Sequence, residues 1–221
     1  MASATEQVDL FLDQYVPIRQ WSRPAVLPEV WLVERAADGR EMLLKRWKSP
    51  ASNSSQLQLE RALWDAELRR LLHLSSLSAA HRYLTTLHDA KVHDDWFWML
   101  LEAPGAWPLR QLMSNRSQGW LKDKESRAVR EGLWQGLLRL ARGLGLLHQQ
   151  QLVHRNLSAD VVFVGPNDGP SSFRLSGFER SYGLRQSPSS FRSQMNDGDP
   201  WASFAEDFRQ LGRLATELLV L

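Results

Sequence analysis

Six histidines and no cysteine set the first limits on what this chain can do chemically. Without a thiol there is no disulfide, no thiolate nucleophile and no Cys-ligated zinc. Two of the histidines, His148 and His154, bracket the end of a leucine-rich run. There a histidine serves as base or ligand or, more commonly, as a satisfied core residue. Three acids follow within 26 residues, Asp160, Asp168 and Glu179, and carboxylates of that kind can carry acid–base work in a group transfer. The serines between Ser181 and Ser193 offer hydroxyls to a phosphorylating enzyme or else make a solvated loop.

The elements that must position these groups are legible from periodicity. Val30 to Trp47 reads as a hairpin, with Asp38-Gly39 supplying the positive φ of a tight turn. Gln56 to Leu74 has leucines at helical spacing with charges between them. Tyr83–Leu87 and Trp96–Leu101 read as two strands of a second hairpin around the polar HDAKVHDD. From Pro104 the character turns helical: a short helix near Leu109–Met113, then a long one from about Lys124 to His148. In the long one Leu133, Leu137, Leu140, Leu144 and Leu147 form one apolar stripe. VVFV and FRLSGF bracket a turn as a further hairpin, and Asp199–Leu221 is helical again. The fold class implied is α+β, a strand-rich first part followed by a helical second part.

Composition narrows the function classes. With 43% hydrophobic residues in 221, the chain can bury an ordinary core. The richest apolar run, Trp96–Leu101, stops at Glu102, far short of a bilayer span. The N-terminal MASATEQVDLFLDQY lacks a basic region ahead of an apolar core, so a cytoplasmic location is expected. The formal charge is +2, and 22 of the 27 basic residues are arginine, interleaved with acids. That pattern favours solvated helix faces over a nucleic-acid groove. Ten tryptophans, seldom fully enclosed, favour a protein partner.

Several segments at consistent separations resemble the protein-kinase family, in particular the bacterial eukaryotic-like kinases. Met42-Leu43-Leu44-Lys45 stands at V-A-I-K, and Glu67 in WDAELRRLLHL stands at the acid that pairs with the lysine, with Glu60 as alternative. His154-Arg155-Asn156-Leu157 resembles the catalytic loop H-R-D-L-x-x-x-N, and Gly177-Phe178-Glu179 falls on D-F-G. SFAEDFRQLGRLATELL resembles the start of the large buried helix of the second lobe, whose aspartate, here Asp207, ties it to the catalytic-loop backbone. The resemblance implies a two-lobed kinase-like fold: residues 1–103 a small sheet with one long helix, residues 104–221 a partial second lobe that stops inside that large helix. It therefore implies a fragment of a longer protein.

The same resemblance implies a loss of chemistry. The catalytic base position holds Asn156, neutral at pH 7, and the two metal-ligand positions hold Val161 and Gly177. The three glycines of the phosphate-covering loop fall on Arg23, Ala25 and Pro28, and proline has no N–H to give. Leu101 takes the gatekeeper position, and Pro104 the position whose N–H would meet adenine. Lys45 and Glu67 remain, as a nucleotide site or as an ion pair that staples helix to sheet, and Arg155 and Asp207 remain as architecture. Glu179 is a remote candidate metal ligand. The leading expectation is a pseudokinase with no cofactor, no metal and no membrane contact, binding a protein partner or other domains of the same polypeptide. The alternatives are a nucleotide-binding enzyme with atypical transfer through Asp160, Asp168 or Glu179 and, more weakly, a nucleic-acid-binding module.

Overall fold

Five strands, β1 (Tyr15–Gln20), β2 (Glu29–Arg35), β3 (Arg40–Lys48), β4 (Thr86–His93) and β5 (Trp96–Glu102), make one antiparallel sheet in the order β1-β2-β3-β5-β4. The structure, a computed structural model, describes residues 14–21, 28–48, 54–93, 96–102, 107–115, 120–123, 125–165, 169, 172–183 and 204–220. Arg23, Ala25, Pro104, Asp168 and the serines at 187–193 lie outside the described residues, as does the side chain of Glu60.

The β2–β3 hairpin turns at Gly39, whose φ of 68° only glycine adopts without strain. Asp38 holds the turn by accepting from the Arg40 N–H and pairing with Arg35. Strand alternation then sorts β3. Leu43 and Trp47 join the main core, whereas Met42 and Leu44 join a second cluster with Val33, Trp98 and Leu100. Helix α1 (Ser54–Ser75) packs on the sheet, touching β4 and β5.

The second hairpin differs from the expected one. Tyr83 closes a short helix, α2 (Ala80–Tyr83), and the polar segment HDAKVH read as a turn is the body of β4. The reason is tertiary: β4 is an edge strand paired along its length with β5, from Thr86↔Glu102 to His93↔Trp96. An edge strand with polar side chains is a normal guard against further pairing.

The helical half starts with β6 (Trp107–Pro108) and α3 (Leu109–Ser114), followed by a 3₁₀ turn at Trp120–Asp123 and the long α4 (Arg127–Gln149). Ser126 caps α4, its hydroxyl accepting from the Val129 N–H at 3.1 Å. All five leucines of the α4 stripe are buried. Beyond α4, β7 (Leu152–Val153), β8 (Val162–Val164), β9 (Arg174–Leu175), a 3₁₀ turn at Phe178–Arg180 and β10 (Tyr182–Gly183) carry the loop residues. They pair as two small ribbons, β6-β8-β9 and β7-β10. Helix α5 (Phe204–Val220) packs on α4. One core cluster runs from Leu32 and Leu43 in the sheet to Phe178 and Leu214 in the helical half, so both halves share an interior. Among the described residues no helix is long and apolar enough to cross a membrane.

Candidate functional site

Lys45 reaches the interior because it alternates with Leu43 and Trp47 on the face of β3 that meets α1. Its ammonium Nζ lies 2.6 and 2.7 Å from the two carboxylate oxygens of Glu67, on α1, and 3.1 Å from Glu179 Oε2. Lys45 and Glu67 are essentially inaccessible, with side-chain exposures of 5% and 0%. One cation thus serves two carboxylates. Burial, with the Glu179 charge adding to it, pushes Glu67 up to about 7, while the Lys45 charge holds Glu179 below the usual carboxylate range against its own burial. Glu179 also accepts from Asn156 Nδ2 at 3.4 Å.

The loop 154–161 is tied down by Asp207 at the start of α5. Its fully buried carboxylate accepts from the backbone N–H groups of His154 and Arg155, each at 2.8 Å, and lies 2.8 Å from His148 Nε2. Arg155 sits at a φ of 66°, a left-handed conformation that these bonds hold in place. His154 is fully buried, and burial lowers its pKa. Its Nε2 faces the Ser176 carbonyl at 2.8 Å and its Nδ1 accepts from the Asn156 N–H at 3.2 Å. A carbonyl can only accept, so the proton is on Nε2 and both ring nitrogens are occupied. That makes His154 a core residue. His148 has Asp207 on one side and the stacked ring of Phe204, 4.1 Å away, on the other.

Asn156, Val161 and Gly177 converge. Gly177 adopts a φ of 83°, and a Cβ placed on it would stand 2.6 Å from Val161 Cγ1, 2.9 Å from Val161 Cβ and 3.5 Å from Asn156 Nδ2. A methyl group of Val161 therefore occupies the space that a side chain at 177 would need. Among the described residues no group of three His, Cys, Asp or Glu side chains is placed to hold a metal.

Above these residues lies a cavity of about 610 Å³, lined by Trp21, Val30, Lys45, Val161, Phe163 and Glu179 among others. A small organic molecule fits that volume. Pro28, which the resemblance to kinases sets at the phosphate-covering loop, also lines it. Trp21 packs on Trp107 with ring centroids 4.9 Å apart, and Arg19 lies over both rings. Asp160 is at the exposed rim, 3.6 Å from Arg110.

Neither a family model nor a curated protein matches the sequence. Among solved structures, a twitchin kinase fragment from C. elegans, described as autoregulated protein kinase and immunoglobulin domains, superposes with a TM-score of 0.64 at 18% identity. The match covers 96% of this chain and 44% of that one. The fold is kinase-like. At that identity the likeness speaks for the fold alone, and the chain spans less than half the length of that structure.

Within the kinase-like fold, Lys45, Glu67, Asn156, Val161, Gly177 and Glu179 lie together, with Arg155 and Asp207 directly behind them. Leu101 is fully buried on β5. Sequence reasoning treated Val161 and Gly177 as two separate losses. It missed that they are one packing unit, a relation between positions 16 residues apart that only folding reveals. It also missed Trp21 and Phe163 as cavity walls, for which the sequence carried no signal beyond apolarity.

Proposed function

We propose that this chain is a catalytically inactive kinase-like module, a pseudokinase, whose work is binding: to a protein partner, or to other domains of a longer, multidomain bacterial polypeptide. The observation that carries the reading is the Val161 methyl group in the space of the missing Gly177 side chain. Phosphoryl transfer depends on metal ions held by a carboxylate and an amide oxygen, and on a carboxylate to orient the hydroxyl. Here the metal-ligand positions are filled by hydrocarbon, and the base position is an amide that donates to Glu179. Lys45, the cation that would meet phosphate, is already matched by two carboxylates. Glu179 is better read as an internal stand-in for the anion than as a metal ligand. In this reading the module needs no nucleotide cofactor, works in the cytoplasm, and has two lobes, residues 1–103 and 104–221. Exposed Phe208, Leu219 and Val220 on α5 support further chain or a partner against that lobe.

One observation favours a second reading, a nucleotide-sized ligand bound in the cleft and handled by atypical chemistry. The cavity stays open, and two of its lining groups, Ser176 Oγ and Trp21 Nε1, are buried without a hydrogen-bond partner. A thermal-shift titration with ATP and magnesium separates the two. The binding-module reading expects an unchanged melting temperature at millimolar nucleotide. A saturable rise would transfer the case to the second reading.

A further inference from the structure

Away from the cleft, four arginines from three elements lie close together in the fold. Arg174 on β9 donates from Nε to the carbonyl of His81 at 3.0 Å, and Arg139 on α4 donates from Nη2 to the adjacent carbonyl of Arg82. Two guanidinium groups are thus held side by side on consecutive carbonyls at the end of α2. Arg82 and Arg142 add exposed charges from α2 and from one turn further along α4. Helix-end carbonyls attract cations, so one arginine there is ordinary capping. Four are more than capping requires, and the Arg139 charge opposes that of Arg174 as the Arg142 charge opposes that of Arg139.

Among the described residues no carboxylate neutralises them; Arg174 also donates from Nη1 to the carbonyls of Ser172 and Phe173, and Arg139 lies over the Tyr83 ring at 5.5 Å. Among the described residues none of the four makes a salt bridge, and Arg139 Nε is buried without a partner. Burial pushes Arg174 down to about 10 with the Arg139 charge adding to it, and burial and the Arg142 charge likewise lower Arg139. The contrast with Arg35, Arg46 and Arg127 is direct, since each of those sits on a carboxylate.

The cluster also has an apolar border. Trp134 and Leu138 are 58% and 43% exposed on α4. They lie in line with Arg142 at spacings of four, so that around the helix, at about 100° per residue, Arg142 falls between Leu138 and Arg139. The surface therefore runs from two exposed apolar side chains to four arginines that, among the described residues, meet carbonyls, a tyrosine ring or solvent and no carboxylate.

We propose that this face, formed by Arg82, Arg139, Arg142 and Arg174 with Trp134 and Leu138, docks an acidic protein segment that carries an apolar residue beside its carboxylates. Guanidinium forks match carboxylates in pairs of parallel hydrogen bonds, and the tryptophan and leucine take the apolar residue. A protein segment is favoured over nucleic acid because the charge is a compact cluster on a chain of formal charge +2, where phosphate-backbone binding relies on many spaced contacts. The proposal gives the binding-module reading a surface, yet it stands independently, because the face shares no residue with the cleft.

The test uses the whole chain and a fluorescein-labelled synthetic peptide of Asp, Glu, Leu and Phe, followed by anisotropy. A peptide with Asn and Gln replacing the acids and labelled single-stranded and duplex DNA oligonucleotides serve as controls. The variants are R82E/R142E, which leaves the carbonyl contacts of Arg139 and Arg174 in place, and W134S; circular dichroism checks that both melt like the wild type. The expected result is salt-sensitive binding of the acidic peptide, weakened about tenfold by R82E/R142E and less by W134S. Absence of acidic-peptide binding, equal binding of the amide peptide, or unchanged affinity in R82E/R142E overturns the proposal. So does tighter binding of an oligonucleotide that R82E/R142E abolishes, which would assign the face to nucleic acid.

Discussion

The loop from His154 to Val161 carries two neighbouring sets of side chains that are finished in opposite ways. Behind it, Asp207 accepts from two backbone N–H groups and meets His148, while His154 uses both ring nitrogens, so every buried polar group in that set has its partner. In front of it, Asn156, Val161 and Gly177 form a packed contact at the positions where the resemblance to kinases expects the base and metal ligands, and Lys45 is enclosed by Glu67 and Glu179. The first set holds the loop's shape and the second would do its chemistry. On the proposed reading, a kinase-like frame keeps the anchoring network complete while the positions in front of the loop are given over to packing.

The strongest way to break this comparison is to remove the anchor. Asp207→Ala strips three interactions from a fully buried carboxylate and leaves two backbone N–H groups unsatisfied, so urea unfolding should show a loss of about 3–5 kcal/mol. A loss under about 1 kcal/mol would show that the network is not what holds the loop.

The front set should answer differently. Gly177→Asp alone should cost about 2–4 kcal/mol, because its Cβ collides with Val161 and its backbone is left-handed. Val161→Asn combined with Gly177→Asp removes one methyl branch and offers a polar partner, and should recover about half of that loss. Additive losses in the double variant would mean the two positions are not one packing unit.

A smaller effect sharpens the account of Glu179. Glu67 titrates near 7 in the folded chain against 4.5 as its ordinary value, so the fold keeps a proton that the unfolded chain gives up. That contribution to stability is full below 4.5 and is lost as pH rises through 7. Glu179→Gln removes the like charge, lowers Glu67, and should flatten the stability profile between pH 5 and 8 while staying within about 1 kcal/mol of wild type at pH 7. An unchanged slope would place the cause of the Glu67 shift elsewhere.

What the sequence disclosed, and what it hid, follows from how far apart interacting residues lie. The leucine stripe of α4 and the Asp38-Gly39 turn are set by neighbours within a few positions, and they were legible. The Lys45–Glu67 pair and the Asp207 anchor were legible only through resemblance, since 22 and more than 50 positions separate the partners. The β4 strand was misread because its pairing with β5 outweighs its polar composition. The arginine face escaped because residues 82, 139, 142 and 174 look scattered until α2, α4 and β9 bring them together.

The central proposal, that this kinase-like chain does not transfer phosphate, is tested most directly with γ-labelled ATP and magnesium, measuring label on the chain itself and on a generic acceptor protein. The account predicts incorporation no greater with wild type than with Lys45→Met. Incorporation that requires Lys45 and grows with time would contradict it.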